Sequence, residues 1–404
     1  MVECSMPEMM SVVFPRGFKV GAGRAGLKKK GDDVMVLLGE VDCSAAAVFT
    51  TNRLCAAPVK YSRGVRDGGL SRAVVANSGN ANAATGPQGL EDAAEMARLT
   101  ASQAGTDAGK VFVASTGVIG TPLDMDRVRA GIEAAWSNID RSEAAAEAAS
   151  RAILTLDTRP KTAQREIDLF GRKVRIGAIA KGAGMLSPKM ATMLAFITTD
   201  ALIDAPLLQE SLEKAVERSF NRVTVDGDMS TNDSVFLLAS GLSEAGRIKG
   251  GSDGYARFDR ALFDVCLDLA KMMAADGEGA SKFVEVRVTG AVDEAAALAA
   301  ARAIADSKLV KTAVFGADPN WGRVLAAAGY AGVPFDEEKA VLAFNGVRAF
   351  ERGAPAAPSR DLDEAMKATE IIIELDLGLG SAQGAIYTCD LTYEYVRINA
   401  EYHT

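Results

Sequence analysis

Histidine is almost missing from this chain: the 404 residues contain one, His403, beside the last position. That absence excludes HExxH centres, multi-histidine metal sites and histidine phosphotransfer. It leaves a Ser-His-Asp triad only a terminal imidazole, which is hard to hold in place. Cysteine is scarce as well. The five are Cys4, Cys43, Cys55, Cys266 and Cys389, and no two form CxxC, so zinc and iron–sulfur clusters have no framework and no metal is expected. An odd number of scattered thiols fits a reducing compartment. Basic charge is in deficit, 45 Lys and Arg against 53 Asp and Glu, for a net charge of −8. No broad surface for nucleic acid is expected from that balance. The one basic cluster, Lys28-Lys29-Lys30, runs into Gly31-Asp32-Asp33 and reads as a solvated turn. No apolar run approaches the roughly 20 residues that cross a bilayer. The first eight residues, Met1 to Glu8, lack the pattern of a secretory signal, so the cytoplasm is the expected location.

What is present is ordinary for a folded protein: 48% hydrophobic and 24% charged residues. The length suits two or three domains or one large two-part fold. Val34–Leu38, Ala73–Ala76 and Val111–Ala114 read as buried strands, as do Val286–Val288, Ile371–Leu375 and Ala385–Thr388. Leu90 to Gly105 reads as a helix. So do the segments capped by Asp124 and by Asp204, the run Phe258 to Ala275, and the Ala-rich stretch Asp293 to Ala305. Arg352–Pro358 and Gly246–Gly254 are the best loop candidates. Interleaved helices and strands predict layered helices and sheets, without deciding between parallel and antiparallel pairing.

With the usual bases absent, the informative stretch is Lys181-Gly-Ala-Gly-Met-Leu-Ser-Pro-Lys-Met-Ala-Thr192-Met-Leu. A Gly-rich approach and a proline lead to Ala191-Thr192, just before a β-prone apolar run. A hydroxyl so placed can attack the carbonyl that precedes it and cut the chain between Ala191 and Thr192. The new terminal threonine carries its own general base, an α-amine with an unperturbed pKa of roughly 7.7–8.0. Ser187 and Thr198 are competing hydroxyls without that combination. Lys181 suits a carboxylate substrate, or else is a surface lysine at a strand end.

Four other motifs admit two readings each. Gly21-Ala-Gly23-Arg-Ala-Gly26 matches GxGxxG, but a short polar sequence follows where a buried helix is needed, so a Gly-rich bend between strands is the better reading. Asn77-Ser-Gly-Asn-Ala-Asn82 follows a strand and is either a site or a tight turn. Ser115-Thr116-Gly117-Val-Ile-Gly120 has the same architecture and offers two donors for an oxyanion, should the turn lie near Thr192. Asp226-Gly-Asp-Met-Ser-Thr-Asn-Asp-Ser234 looks like a calcium loop, yet its twelfth position is Leu237, where a bidentate Glu belongs; a polar turn is expected instead.

Taken in order, these motifs resemble one family. The segment from Lys181 to Thr192 is similar to the self-cleavage segment of the ornithine acetyltransferases, also called glutamate N-acetyltransferases. The Asn77–Asn82, Ser115–Gly120, Thr155–Lys161, Asp226–Ser234, Asp276–Lys282, Phe315–Arg323 and Asn399–Thr404 segments recur there in the same order, so the likeness spans nearly the whole chain. Met229 stands where Thr is frequent and Ala183 where Ser is frequent. The resemblance implies self-cleavage into an α chain, 1–191, and a β chain, 192–404, with Thr192 as nucleophile and acyl carrier. It implies Thr116 and Gly117 as the oxyanion hole, and Thr155, Lys181, Thr192, Glu278, Asn399 and Thr404 as substrate-binding positions. The implied fold is α+β: a layered αββα sandwich like that of N-terminal-nucleophile hydrolases, with a second α/β part. The implied function is transfer of acetyl from N-acetylornithine to glutamate in arginine biosynthesis, with acetyl-CoA a further donor in bifunctional members. No cofactor is expected, and an α2β2 heterotetramer is. The rival enzyme reading is an N-terminal-nucleophile amidohydrolase or aminopeptidase that passes the acyl group to water.

Overall fold

The computed structural model describes residues 10–169, 171–185, 193–356 and 358–401. They form two compact units. The first draws its described residues from Met1–Gly182, Lys189–Asn221 and Met229–Leu269, the second from Ala183–Pro188, Arg222–Asp228 and Ala270–Thr404. The expected division at 191/192 is one of the covalent chain, and the compact units cut across it.

The first unit holds strands β1 (Phe18–Gly23), β2 (Val34–Phe49), β3 (Leu70–Asn80), β4 (Val111–Val118), β5 (Lys161–Leu169), β6 (Arg172–Lys181), β7 (Leu194–Thr199) and β8 (Ser234–Ala239). Its helices are α1 (Ala57–Asp67), α2 (Gly86–Ala104), α3 (Met125–Ser137), α4 (Glu143–Ala152), α5 (Ala205–Arg218) and most of α6 (Asp253–Ala275). The strands pair in the order β4-β3-β2-β8-β7-β6-β5, with β1 also on β2. β2 is long enough to serve two layers. Its first residues, from Val34, lie between β1 and β3; its last six, Ser44–Phe49, pair with β8, after a bulge between Leu38 and Cys43.

Strand alternation then sorts the side chains. Met35, Leu37, Val74, Ala76, Phe112 and Ala114 point inward and share one core with Phe196 of β7 and Phe236 and Leu238 of β8. Phe236 is at its centre, 4.9 Å from the Phe112 ring and 5.6 Å from Phe196. The alternate residues Val34, Val36, Ala73, Val75, Val111 and Val113 face outward onto Met96 of α2 and Val128 and Ile132 of α3. On the other side α5 packs on β2, and its Leu208 and Leu212 are fully buried, as are Phe258 and Leu262 of α6. The result is helix, sheet, sheet, helix, as the family resemblance implied.

The second unit has β9 (Phe283–Ala291), β10 (Val341–Phe344), β11 (Val347–Glu351), β12 (Ala354–Pro355), β13 (Glu370–Asp376) and β14 (Ala382–Cys389), with α7 (Glu294–Asp306), α8 (Lys308–Phe315), α9 (Trp321–Gly329), α10 (Ser359–Ala365) and α11 (Tyr393–Glu401). The sheet runs β12-β11-β10-β13-β9-β14. Val284, Val286 and Val288 of β9 share a core with Ile371 and Ile373 of β13 and the Ala-rich face of α7.

Pairing is mixed: β3–β4, β7–β8 and β9–β13 are parallel and the other named pairs antiparallel. Three local expectations change. Gly21 and Gly23 lie within β1, not in a bend. A Cβ on either would meet α3 backbone, Ala135 O at 2.1 Å and Ala135 N at 2.3 Å, so these glycines exist to let a helix lie on a strand. Asp253 and Gly254, expected in a loop, open α6. Ala354–Pro355, also expected in a loop, pairs with β11.

Candidate active site

The parallel strands β3 and β4 end side by side, with Asn77 opposite Ser115, Ser78 opposite Thr116 and Gly79 opposite Gly117. Side chains then fix the turn that follows. Ser115 Oγ donates to Asn77 Oδ1 at 2.6 Å, and Asn77 Nδ2 donates to Asn80 O at 2.9 Å. Gly117 has φ +133°, and a Cβ there would lie 2.3 Å from the Gly79 carbonyl carbon. Only glycine serves at a position with both constraints. Asn232, just before β8, donates to Ala81 O at 2.6 Å and to Ser115 O at 2.8 Å. The polar turn expected between α5 and β8 is therefore no solvated connection. Ser230, Thr231, Asn232 and Asp233 are all buried, and Asn232 clamps the carbonyl just before Thr116.

Lys181 is the last residue of β6 and is 3% exposed. It is not a surface lysine. Its Nζ donates to Thr116 Oγ1 at 3.2 Å. Lysine has donors only, so the Thr116 oxygen accepts, and its own proton remains for donation to another partner. Beside them is a buried ion pair, Lys161 Nζ on Asp157 Oδ1 at 2.5 Å. Asp157 Oδ1 also accepts from Gly182 N–H at 2.6 Å, and Oδ2 from Thr155 N–H at 3.3 Å. Burial pushes the Asp157 carboxyl up, but Lys181, Lys161 and the Gly182 N–H together hold it below the usual range. Lys28 also departs from expectation. It is half-buried, and its Nζ reaches Ala152 O and Leu154 O at 3.1 Å each, closing the C-terminal end of α4. Burial lowers its pKa.

Ala191 and Thr192, the expected cut, lie outside the described residues. The next residue, Met193, donates its N–H to Asp233 Oδ1 at 3.0 Å. Asp233 is fully buried, and that burial pushes its carboxyl well above the ordinary range despite this bond and the Lys181 charge.

In the second unit Glu278 and Asn399 are together: Asn399 Nδ2 donates to Glu278 Oε2 at 2.8 Å. Glu278 N–H donates to Ala183 O at 2.8 Å. Gly184 lies under the Glu278 carboxylate so closely that a Cβ there would be 2.1 Å from Oε1. Met185 has φ +54°, a left-handed conformation unusual for a side chain of its size, and its N–H donates to Asp226 Oδ2 at 2.6 Å. The Tyr395 hydroxyl donates to the same oxygen at 3.4 Å. Burial, with the Asp226, Glu278 and Asp228 carboxylates, drives the Tyr395 phenol pKa up, so its proton stays on. Thr404 lies outside the described residues.

Of the expected site residues, Thr116, Gly117, Thr155 and Lys181 therefore sit in one cluster of the first unit, and Glu278 and Asn399 in another of the second. Asp157, Asp226, Asn232 and Asp233 were not singled out as functional in the sequence. Each lay inside a recognised motif, but at least one of its partners is distant in the chain, as Gly182 is for Asp157, Met185 for Asp226, Ser115 for Asn232 and Met193 for Asp233.

Comparisons agree with the order of motifs. The ArgJ family model matches residues 19–404. The arginine biosynthesis bifunctional protein ArgJ of Symbiobacterium thermophilum is 50% identical over 401 residues, covering 97% of this chain and 98% of its own. The glutamate N-acetyltransferase of Methanocaldococcus jannaschii is 46% identical over 405 residues, with 97% and 98% covered. The crystal structure of arginine biosynthesis bifunctional protein argJ from Bacillus halodurans has a TM-score of 0.50 and 44% identity, and its match covers 51% of this chain and 98% of that one. Matches of this length and identity mean that the chain belongs to the ArgJ family.

Proposed function

We propose that the chain cuts itself between Ala191 and Thr192 and then carries acetyl on Thr192, from N-acetylornithine to glutamate. The reaction class follows the family, whose named relatives are bifunctional arginine-biosynthesis proteins and a glutamate N-acetyltransferase. The observation that carries the mechanism is the buried Lys181–Thr116 contact, which leaves a hydroxyl proton beside the Gly117 turn.

Thr192 Oγ attacks the Ala191 carbonyl carbon, and the Ala191–Thr192 amide bond breaks as the nitrogen takes the hydroxyl proton. Water hydrolyses the resulting ester and leaves an Ala191 carboxylate and a free Thr192. The freed amine accepts the Thr192 hydroxyl proton as Oγ attacks the acetyl carbonyl. Thr116 O–H and Gly117 N–H stabilise the oxyanion, a donor pair of the kind whose loss costs about 10²–10³ in rate. The amine returns its proton to the departing ornithine nitrogen. Glutamate's amine then attacks the acetyl ester and leaves as N-acetylglutamate. Lys181 and Thr155 bind the α-carboxylate, and Glu278 and Asn399, with Thr404, read the ornithine end. No cofactor takes part; acetyl-CoA enters as a second acetyl donor. Support for a cut near the middle comes from the Bacillus halodurans relative, whose solved chain is matched nearly completely yet covers about half of this one. The assembly we expect is an α2β2 heterotetramer in the cytoplasm.

Denaturing electrophoresis and intact mass will give two chains of similar length, the second beginning Thr-Met-Leu-Ala, and Thr192→Ala a single chain. Parallel double-reciprocal lines are expected for acetylornithine against glutamate. Intersecting lines with no acetyl on Thr192 would exclude the carrier scheme. Ornithine release at the same rate without glutamate would make the enzyme a hydrolase. Acetylglutamate formed from acetyl-CoA decides the second donor, and native mass decides the assembly.

A further inference from the structure

We propose that Asp157 is a positioning residue for acyl transfer, holding the Lys181 ammonium and the Gly182 N–H in one fixed arrangement around Thr116. The inference rests on the reading that Thr116 and Lys181 belong to the transfer site. Asp157 lies in the connection between α4 and β5, and its carboxylate is 0% exposed. Burying a charge beside another is costly and is rarely the best way to stabilise a fold. A purely structural need is also hard to find. Lys161 of β5 is already paired with Ala180 of β6 by the strand ladder, which continues through nine residues. The ladder stops at Lys181, however. Asp157 takes the next N–H, that of Gly182, and the N–H of Thr155, so it fixes the backbone where regular structure ends.

Charge leads to the same conclusion. Among the described residues, groups around Lys181 include Thr116 from β4, Asp157 from the α4–β5 connection, Lys28 from the β1–β2 connection and Asp233 just before β8, and Asp157 itself pairs with Lys161 of β5. Burial keeps Asp233 protonated over a wider range than an ordinary carboxyl. Asp157 is thus the carboxylate shared by Lys161 and Lys181, whereas Lys28 is balanced first by Asp33 and Asp32. Without it, Lys161 and Lys181 lose their shared counter-charge and the Gly182 N–H loses its acceptor, so the backbone that carries Lys181 is no longer fixed.

The test compares Asp157→Asn, Asp157→Asn/Lys161→Met, Lys181→Met and Asp157→Asn/Lys181→Met in purified two-chain enzyme, by kcat and KM for N-acetylornithine across pH and by thermal melting. The Asp157→Asn/Lys161→Met variant removes both buried charges, so the measurement does not depend on Asp157→Asn being stable. We expect a loss of about 10²-fold in kcat/KM, the scale of a misplaced catalytic group. Once Lys181 is Met, removing Asp157 should cost little more. Full multiplication of the two losses, or a lower melting temperature with kcat/KM unchanged, would overturn the proposal. Lys181→Met with wild-type transfer would instead overturn the site assignment on which it rests.

Discussion

Gly184 offers the sharpest test of substrate recognition, because one methyl group there acts on one side chain. A Cβ at Gly184 would lie 2.1 Å from Glu278 Oε1, 2.2 Å from Cδ and 2.6 Å from Oε2. To regain ordinary contact the carboxylate must retreat by about 1 Å or more. That movement breaks the 2.8 Å bond from Asn399 and takes the charge from its place. A hydrogen bond to a charged group contributes about 1.5–3 kcal/mol, or roughly 10- to 150-fold in binding. Stability should hardly change. The atoms displaced are the end of a flexible side chain, and Gly184 is not among the residues with positive φ. Gly→Ala itself adds roughly 0.4–1 kcal/mol by restricting the unfolded chain. Gly184→Ala should therefore raise KM for N-acetylornithine about 10- to 100-fold, leave KM for glutamate unchanged and leave the melting temperature within a few degrees. Steady-state kinetics with each substrate varied, on protein whose two chains are confirmed by mass, gives the answer. Glu278→Gln should give a similar rise, and combining the two should add little. An unchanged KM for acetylornithine would mean that Glu278 does not read the substrate. Equal rises for both substrates would mean that the charge argument is wrong.

Three further outcomes are expected. Asn232→Ala leaves the buried Ala81 and Ser115 carbonyls short of a donor, at about 1–3 kcal/mol for an unsatisfied group, and should lower both the melting temperature and kcat, with KM less affected. An unchanged kcat would remove Asn232 from the support of the Thr116 turn. Asp233 is more readily protonated folded than unfolded, so its contribution to stability is present at low pH and is lost as pH rises from the ordinary carboxyl range towards its raised folded value. Asp233→Asn cannot titrate, so its melting temperature should gain on the wild type as pH rises above the ordinary carboxyl range and lose that advantage in acid; a constant difference across pH would refute the assignment. Gly23→Ala puts a Cβ 2.3 Å from Ala135 N and should cost about 1–3 kcal/mol as a lower melting temperature, whereas calorimetry with NAD should give no binding heat before or after the change.

Local signals in the sequence were sufficient for most elements and insufficient for their partners. Asp124 was readable as a helix cap because a small acidic residue precedes an apolar 3.6-residue rhythm, and its carboxylate does accept from Arg127 N–H. Asp204 carries the same signal but makes no capping bond; its carboxylate pairs with Arg247, a competitor 43 residues away. Val34–Leu38 was readable as a strand, but its continuation to Phe49 was not. Gly39, Glu40 and Asp42 interrupt the apolar pattern there, and the extension is paid for by pairing with β8, nearly 200 residues on. Lys28 belongs to an exposed-looking basic run, and only the fold brings α4 carbonyls to its ammonium. The family's ordered motifs pointed to the residues of both clusters, while composition alone could not have told a buried lysine from a surface lysine at position 181.

The three aspartates that pattern reasoning passed over share one task. β6 ends at Lys181 and β7 begins at Leu194. Between and beside those ends, Gly182 donates to Asp157, Met185 to Asp226 and Met193 to Asp233, at 2.6, 2.6 and 3.0 Å. These N–H groups have left the strand ladder, and a carboxylate supplies the acceptor that a neighbouring strand otherwise would. Fixing each backbone residue costs about 1–2 kcal/mol of entropy, so the proposed self-cleavage would gain from anchors on either side of the cut. Carboxylates suit this better than amides. At Asp157 and Asp226 both oxygens accept, and charge-assisted bonds are roughly twice as strong as neutral ones, whereas Asp233, whose carboxyl burial pushes up, accepts as a neutral acid. Asp157 and Asp226 each hold more than one donor, and each comes from a turn far from residue 182 or 185 in the chain. The Gly-rich sequence that makes the approach permissive is therefore only half of the arrangement. The other half is written in Asp157, Asp226 and Asp233, whose purpose depends on contacts that only the folded chain supplies.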